Sequence, residues 1–282
     1  MVDTNPDALL SHQTPLRYTV EEQVCISKTG RDEDGEDALY LGPHFVAVID
    51  GATSKTDRRW DSKTGGRVAA ELVKAAFDQL SPAATARQAV DTFTLAIKDL
   101  YERHGVLREV QAEPVQRAVA CFVAVSLVRR EVWLVGDCRC RMDNELLLDE
   151  KEIDHITSQA RSLFLASEIA QGKNIEELRQ HDTGRAFILP LLERQMTFQN
   201  NPAAGQYWYP VIDGFVVPDE GIRVHTLAEG IETIVLASDG YPYVKGSLGE
   251  SEQALEALLR DDPLLFRHYK STKGLKDGKS LV

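Results

Sequence analysis

Three short apolar runs end in an aspartate beside a glycine: Val48-Ile49-Asp50-Gly51, Leu134-Val135-Gly136-Asp137 and Ala237-Ser238-Asp239-Gly240. An acidic pair, Glu36-Asp37, precedes the first of them. Carboxylates at the ends of buried strands sit on a rigid scaffold and can point into one cleft. The adjacent glycine lets the backbone turn sharply or offer its carbonyl at close range. Mg²⁺ and Mn²⁺ take oxygen ligands in octahedral geometry and keep several waters. Two such ions about 3.5–4 Å apart acidify a bridging water and clamp a phosphate during in-line displacement. A single Asp-Gly after a strand is ordinarily a turn. On spacing alone, three of them with an acidic pair admit both readings, ordinary turns or a shared cation cleft.

The elements that carry these residues follow from the apolar periodicity. Phe45-Val46-Ala47-Val48-Ile49 reads as a buried strand with a glycine stop. Ala69, Leu72, Val73, Ala76 and Leu80 recur at helical spacing after Gly65-Gly66, and Val90, Phe93, Ile97, Leu100 and Tyr101 form a second helical stripe. Ser81-Pro82 is expected to cap that second helix, with proline in its first position. Residues 118–128 and 131–135 read as a hairpin across Arg129-Arg130, and 146–148 as one more short strand. Residues 151–199 are helical in pattern. Strand character returns at 207–212, 214–217, 222–226 and 233–237, and Ser251 is expected to cap a helix through Leu255, Leu258 and Leu259. Strands close enough to form hairpins, with helical blocks between them, favour an α+β sandwich of antiparallel sheets over a doubly wound parallel fold.

Composition narrows the function classes. The 282 residues include 44 acidic and 32 basic ones, a formal net charge of -12. That balance argues against a nucleic-acid partner held by a basic face. The longest apolar stretch, near 118–128, falls short of the ~20 residues a membrane helix needs. The acidic N-terminus lacks the basic region of a signal peptide. Cys25, Cys121, Cys138 and Cys140 have neither zinc-ribbon nor redox spacing, so they read as reduced thiols of a cytoplasmic protein. His44, His104, His155, His181, His225 and His268 show no metal-ligand spacing, and Trp133 and Trp208 read as packing residues.

In order along the chain, Glu36-Asp37-Ala38-Leu39 with Phe45–Gly51, then Val135-Gly136-Asp137-Cys138-Arg139, then Ile234-Val235-Leu236-Ala237-Ser238-Asp239-Gly240 resemble the blocks of the metal-dependent serine/threonine phosphatases of type 2C. Thr64-Gly65-Gly66-Arg67-Val68-Ala69 is similar to the helix start that follows the family's first metal block. The resemblance spans roughly residues 25–245. It implies a four-layer α-β-β-α sandwich, two antiparallel sheets flanked by helices, formed by residues 1–282 as one domain. It also implies hydrolysis of phosphoserine and phosphothreonine esters in phosphoprotein substrates by a water bound to two Mg²⁺ or Mn²⁺ ions, with a third ion possible. Asp50 would bridge the two ions and Gly51 would give one of them its carbonyl. Asp239 would ligate the second ion, and Asp37 with Glu36 beside it would hold the first. Asp137 would serve the third position. Arg31 stands near the place of the family's phosphate-binding arginine, and a guanidinium fork suits a phosphate dianion. The other reading of Arg31 is a solvated charge in Arg31-Asp32-Glu33-Asp34.

The sequence also departs from the family. Ala52 stands where some members carry a histidine general acid, so the leaving group would take its proton from water or elsewhere. Thr53 and Ser54 could bond phosphate or simply make the turn. Tyr241-Pro242-Tyr243 replaces a "LWD" continuation, and the family's final acidic block is not found near Asp277, as though the C-terminal end were truncated. Residues 151–205 match nothing in the family and could form a flap over the cleft. These departures motivate an alternative, a catalytically weak pseudophosphatase that binds a phosphoprotein or regulatory partner. An aspartyl-phosphate phosphatase would need a second aspartate at the position of Ala52. A small-molecule phosphate ester stays open as substrate, because fold does not fix substrate.

Overall fold

The computed structural model describes residues 16–27, 35–274 and 279–282. Arg31 and Asp277 lie outside them. Two five-stranded sheets, antiparallel throughout, face each other. One carries β2 (Ala38–Leu41), β3 (Phe45–Gly51), β4 (Ala120–Ser126), β5 (Glu131–Val135) and β8 (Arg223–Thr226), in that order. The other is ordered β1 (Val24–Ile26), β10 (Lys279–Leu281), β9 (Ile234–Ala237), β6 (Arg139–Met142) and β7 (Glu145–Leu147). Helices α1 (Gly65–Phe77) and α2 (Ala86–Arg103) cover the first sheet, with the short α3 (Leu107–Ala112) after them. A third group, α4 (Glu152–Ala170), α5 (Ile175–Gln180) and α6 (Thr183–Arg194), follows β7, and α7 (Leu248–Asp261) covers the second sheet. This is the α+β sandwich expected from the strand pattern.

Strand alternation builds the layers. On β3, Phe45, Ala47 and Ile49 join the core under α1 and α2, where Phe77, Phe93, Phe122 and Trp133 pack. Val46 and Val48 point the other way, into the layer between the sheets, and meet Val123, Leu134, Cys138, Cys140 and Leu236 there. Asp50 follows Val46 and Val48 at the same period of two. It therefore lies at the rim of the inter-sheet layer, opposite Cys121 of β4. The apolar pattern that buries β3 thus also delivers its terminal carboxylate to the seam.

The start of α1 is fixed by close backbone approach. A Cβ on Gly51 would fall 2.3 Å from the carbonyl oxygens of both Glu36 and Gly66, and one on Gly66 would fall 2.6 Å from the carbonyl oxygen of Ala52. Three chain segments meet where only glycine fits, and the acidic pair is pressed against the end of β3. Thr64 caps α1 by accepting the Arg67 amide, and Ser54 Oγ accepts the Gly65 amide at 3.0 Å. Ser54 therefore makes the turn.

Several local expectations need correction. The cap of α2 is Thr85, which forms a reciprocal capping box with Gln88; Ser81 belongs to the preceding turn. The cap of α7 is Ser247. Ser251 sits one turn inside the helix, where its hydroxyl donates to the Ser247 carbonyl. Residues 207–217 form no strand, only single bridges from Tyr209 to Gln199 and from Ile212 to Ala120. Pro210 lacks a ladder donor there, and the Asp213 carboxylate draws the Phe215 amide and the Asn200 side chain into a turn. The hairpin at Arg129-Arg130 closes without glycine because Arg130 takes a left-handed conformation, φ 56°. Strand β10, inserted between β1 and β9, had no apolar run to announce it.

The 151–205 segment is tied to the far end of the chain. Arg161 on α4, fully buried, grips Asp182 through Nε at 3.0 Å and Nη2 at 2.7 Å. It also donates to the carbonyls of Leu264, Leu265 and Ser271 at 2.9–3.1 Å. Arg185 donates to the Thr272 carbonyl at 2.8 Å. Asp262, also buried, accepts the amides of Phe266, Arg267 and His268. Residues 262–273 are thus a turn held from both sides by charge-assisted bonds. Removing one partner of a buried pair costs about 3–5 kcal/mol. Arg161→Met is expected to lower unfolding stability by that amount in urea and to open residues 264–273 to proteolysis. A change within about 0.5 kcal/mol of the parent would contradict this role.

Candidate functional site

Glu36, Asp37, Asp50, Gly51, Asp137 and Asp239 line one open cleft at the seam between the sheets. Each arrives on a different support. Asp37 precedes β2, Asp50 and Gly51 end β3, Asp137 lies between β5 and β6, and Asp239 follows β9. The sequence-derived aspartates therefore do converge, from both sheets. Three further supports lock the geometry. The Asp239 amide donates to Asp50 Oδ2 at 3.3 Å. Ser280 of β10 donates its hydroxyl to Asp37 Oδ2 at 2.8 Å, while its amide donates to Ser238 Oγ at 3.0 Å. Arg139, buried, donates to the carbonyls of Tyr241 and Pro242 and, at 2.9 Å, to the Tyr269 hydroxyl, which fixes the turn beyond Asp239.

Glu36 has structural partners of its own. Its two carboxylate oxygens accept the hydroxyls of Thr53 and Thr64, each at 2.8 Å. Glu36 therefore ties the loop after β3 to the cap of α1, and Thr53 is engaged in the same tie. At Asp137, Lys151 Nζ lies 2.7 Å from Oδ2. Lys273 Nζ stands 3.5 Å from Asp239 Oδ2. Neither lysine was singled out in the sequence. Both come from segments whose position depends on long-range packing, and no local motif marks them.

Electrostatics separate the carboxylates into two kinds. Burial, with the Asp239 charge added and the Ser280 and Ser238 hydroxyls opposing, pushes the Asp37 carboxyl up to about 6. Burial, followed by repulsion from Asp37, Asp239 and Asp137, drives Asp50 well above the usual carboxylate range. Burial would also raise Asp137, but the Lys151 ammonium overrides it and holds that carboxyl down at about 2. At ~1.4 kcal/mol per tenfold change, keeping Asp37 ionised at neutral pH costs the fold about 3 kcal/mol that an added cation would return.

Among the described residues, no three histidine, cysteine or acidic side chains stand already arranged around one cation position. The donor set nonetheless fits a hard divalent ion. Every side chain in it offers oxygen, and no lysine or arginine among the described residues pairs with Asp37 or Asp50. For both, the Lys273 charge opposes burial and repulsion without overcoming them.

The sign of the pH dependence follows. Folded, Asp37 keeps its proton up to about pH 6; unfolded, it releases it near 3.8. Between those values the folded state binds more protons, so metal-free stability falls as pH rises through the window. Asp37→Asn removes this penalty. In chelator, its stability relative to the parent should grow from pH 4 to pH 7 by about 2–3 kcal/mol, measured by urea unfolding. A difference constant with pH would contradict the assignment.

No protein-family model and no curated protein matches the chain. Among solved structures, it is similar to the Mycobacterium tuberculosis serine/threonine phosphatase PstP/Ppp at 18% identity and TM-score 0.47, covering 92% of this chain and 95% of that one. It is similar to the serine/threonine phosphatase Stp1 from Staphylococcus aureus at 17% identity and TM-score 0.46, covering 95% and 96%. A third is the catalytic domain of PstP in complex with 2 manganese ions, at 16% identity and TM-score 0.44, covering 92% and 94%.

Proposed function

We propose that this chain is a metal-dependent phosphatase of the type 2C kind, hydrolysing phosphoserine or phosphothreonine esters through a metal-activated water. One observation carries the reading: Asp37, Asp50 and Asp239, from both sheets, share a cleft in which no lysine or arginine among the described residues forms an ion pair with Asp37 or Asp50. Asp37, Asp50, the Gly51 carbonyl and Asp239 are the groups that would hold Mg²⁺ or Mn²⁺. Bound there, the ions would acidify a water and draw charge off the phosphate.

The chain's own residues account for the remaining tasks. Lys55, Arg185 and Lys273 line the cleft with the acids and give a phosphate dianion a positively charged approach. Arg31, outside the described residues, is part of the same proposal as a phosphate-binding fork. Ala52 has no side chain that can protonate the leaving oxygen, so good leaving groups should turn over best. A cysteine nucleophile is disfavoured. Burial pushes the thiols of Cys121 and Cys138, behind Asp50, well above their ordinary value, so they stay protonated.

A second reading draws on the two lysines. With Lys151 on Asp137 and Lys273 on Asp239, the cleft has internal countercharge, as a pseudophosphatase that only binds phosphoproteins could have. Hydrolysis of an aryl phosphate separates the two. The phosphatase reading expects turnover that requires Mn²⁺ and falls at least 100-fold in Asp50→Asn, in line with loss of a group acting in the transition state. Mn²⁺ bound without turnover would favour the binding module.

A further inference from the structure

We infer that Lys151 is a built-in cation that permanently fills the Asp137 arm of the cleft, so that this arm takes no metal ion. The inference rests on the metal-centre reading of Asp37, Asp50 and Asp239, and it assigns a different occupant to the neighbouring carboxylate.

Three groups hold the ammonium. Nζ lies 2.7 Å from Asp137 Oδ2, 3.9 Å from Asp154 Oδ2 and 4.9 Å from the centroid of the Tyr209 ring. Opposite charges supply the first two attractions and the ring face supplies a cation–π contact. The lysine backbone is equally fixed. Lys151 is the N-cap residue of α4, and its carbonyl accepts the amides of Asp154 and His155 at 3.0 and 3.1 Å. Asp137 cannot easily turn away, because Gly136 holds the chain at φ +88° and any Cβ there would fall 2.2 Å from Cys121 Sγ.

Lys273 provides the contrast. It has a single 3.5 Å contact to Asp239, its side chain is 31% exposed against 15% for Lys151, and it comes from a turn rather than a helix start. An incoming ion can displace Lys273 outward. At Asp137 it would have to share a carboxylate with a fixed ammonium at contact distance, like charge against like. The first residue of the segment without a family counterpart therefore does the electrostatic work of an ion, and the metal count of the cleft falls by one.

Bound Mn²⁺ counted by equilibrium dialysis with electron spin resonance, on the full chain, tests this. Lys151→Met should bind one more Mn²⁺ than the parent, and Mn²⁺ should raise its Tm by several degrees more. Asp137→Asn should bind the same number as the parent. No gain in Lys151→Met, or the loss of an ion in Asp137→Asn, would overturn the inference. If Lys151→Met fails to fold by circular dichroism, the Asp137→Asn count decides alone. A parent that binds no Mn²⁺ while Lys151→Met binds one would uphold the role of Lys151 and sink the metal centre at Asp37, Asp50 and Asp239. No binding in either protein would sink both.

Discussion

Like charges held together in a half-dry seam are what the rest of this structure must accommodate. Asp37, Asp50, Asp137 and Asp239 arrive at one rim of a two-sheet sandwich, where burial and mutual repulsion oppose ionisation. A fold accepts such a cluster only if the backbone is over-determined and the charge is compensated. The first condition is met by the glycine contacts at Gly51 and Gly66, by the hydroxyl and amide of Ser280 and by the Arg139 clamp. The second is met halfway: among the described residues, Asp137 and Asp239 each pair with an ammonium, while Asp37 and Asp50 feel only the more distant charge of Lys273.

The compensation comes from two segments outside the aspartate motifs, the start of α4 and the turn after α7. Helix α4 begins at the cleft with Lys151 and, three turns on, buries Arg161, which holds the turn that carries Lys273. Residues 151–205 and 262–273 therefore act as one electrostatic wall. That wall distinguishes Asp137 from Asp37 although both are strand-adjacent aspartates. A motif reading treats them alike; their partners make one a settled ion pair and the other a carboxyl that holds its proton to about pH 6.

What could be read in the sequence was what local pattern determines. The period-two run through Val46 and Val48 places Asp50 on the inter-sheet face, and the helical stripes of α1 and α2 are visible in Val73, Ala76, Val90 and Phe93. The layered antiparallel sandwich follows from hairpin-length connections such as Arg129-Arg130. What could not be read was set by tertiary contact. Strand β10 is three residues long and owes its place to β1 and β9. The stretch 207–217 looks β-rich, but Pro210 and the Asp213 turn keep it irregular. Glu36 sits beside Asp37 in sequence, and only the positions of Thr53 and Thr64 show that its oxygens are engaged elsewhere.

The most direct measurement is a calorimetric titration of Mn²⁺ into the full chain at pH 6, in two buffers of different ionisation enthalpy. Asp37 is pushed up to about 6 in the metal-free fold and Asp50 is shifted in the same direction by burial and its neighbouring carboxylates, so ion binding is expected to release protons. The account expects saturable binding with proton release, both abolished by Asp50→Asn. Binding unchanged in Asp50→Asn, or no binding in the parent, would contradict it.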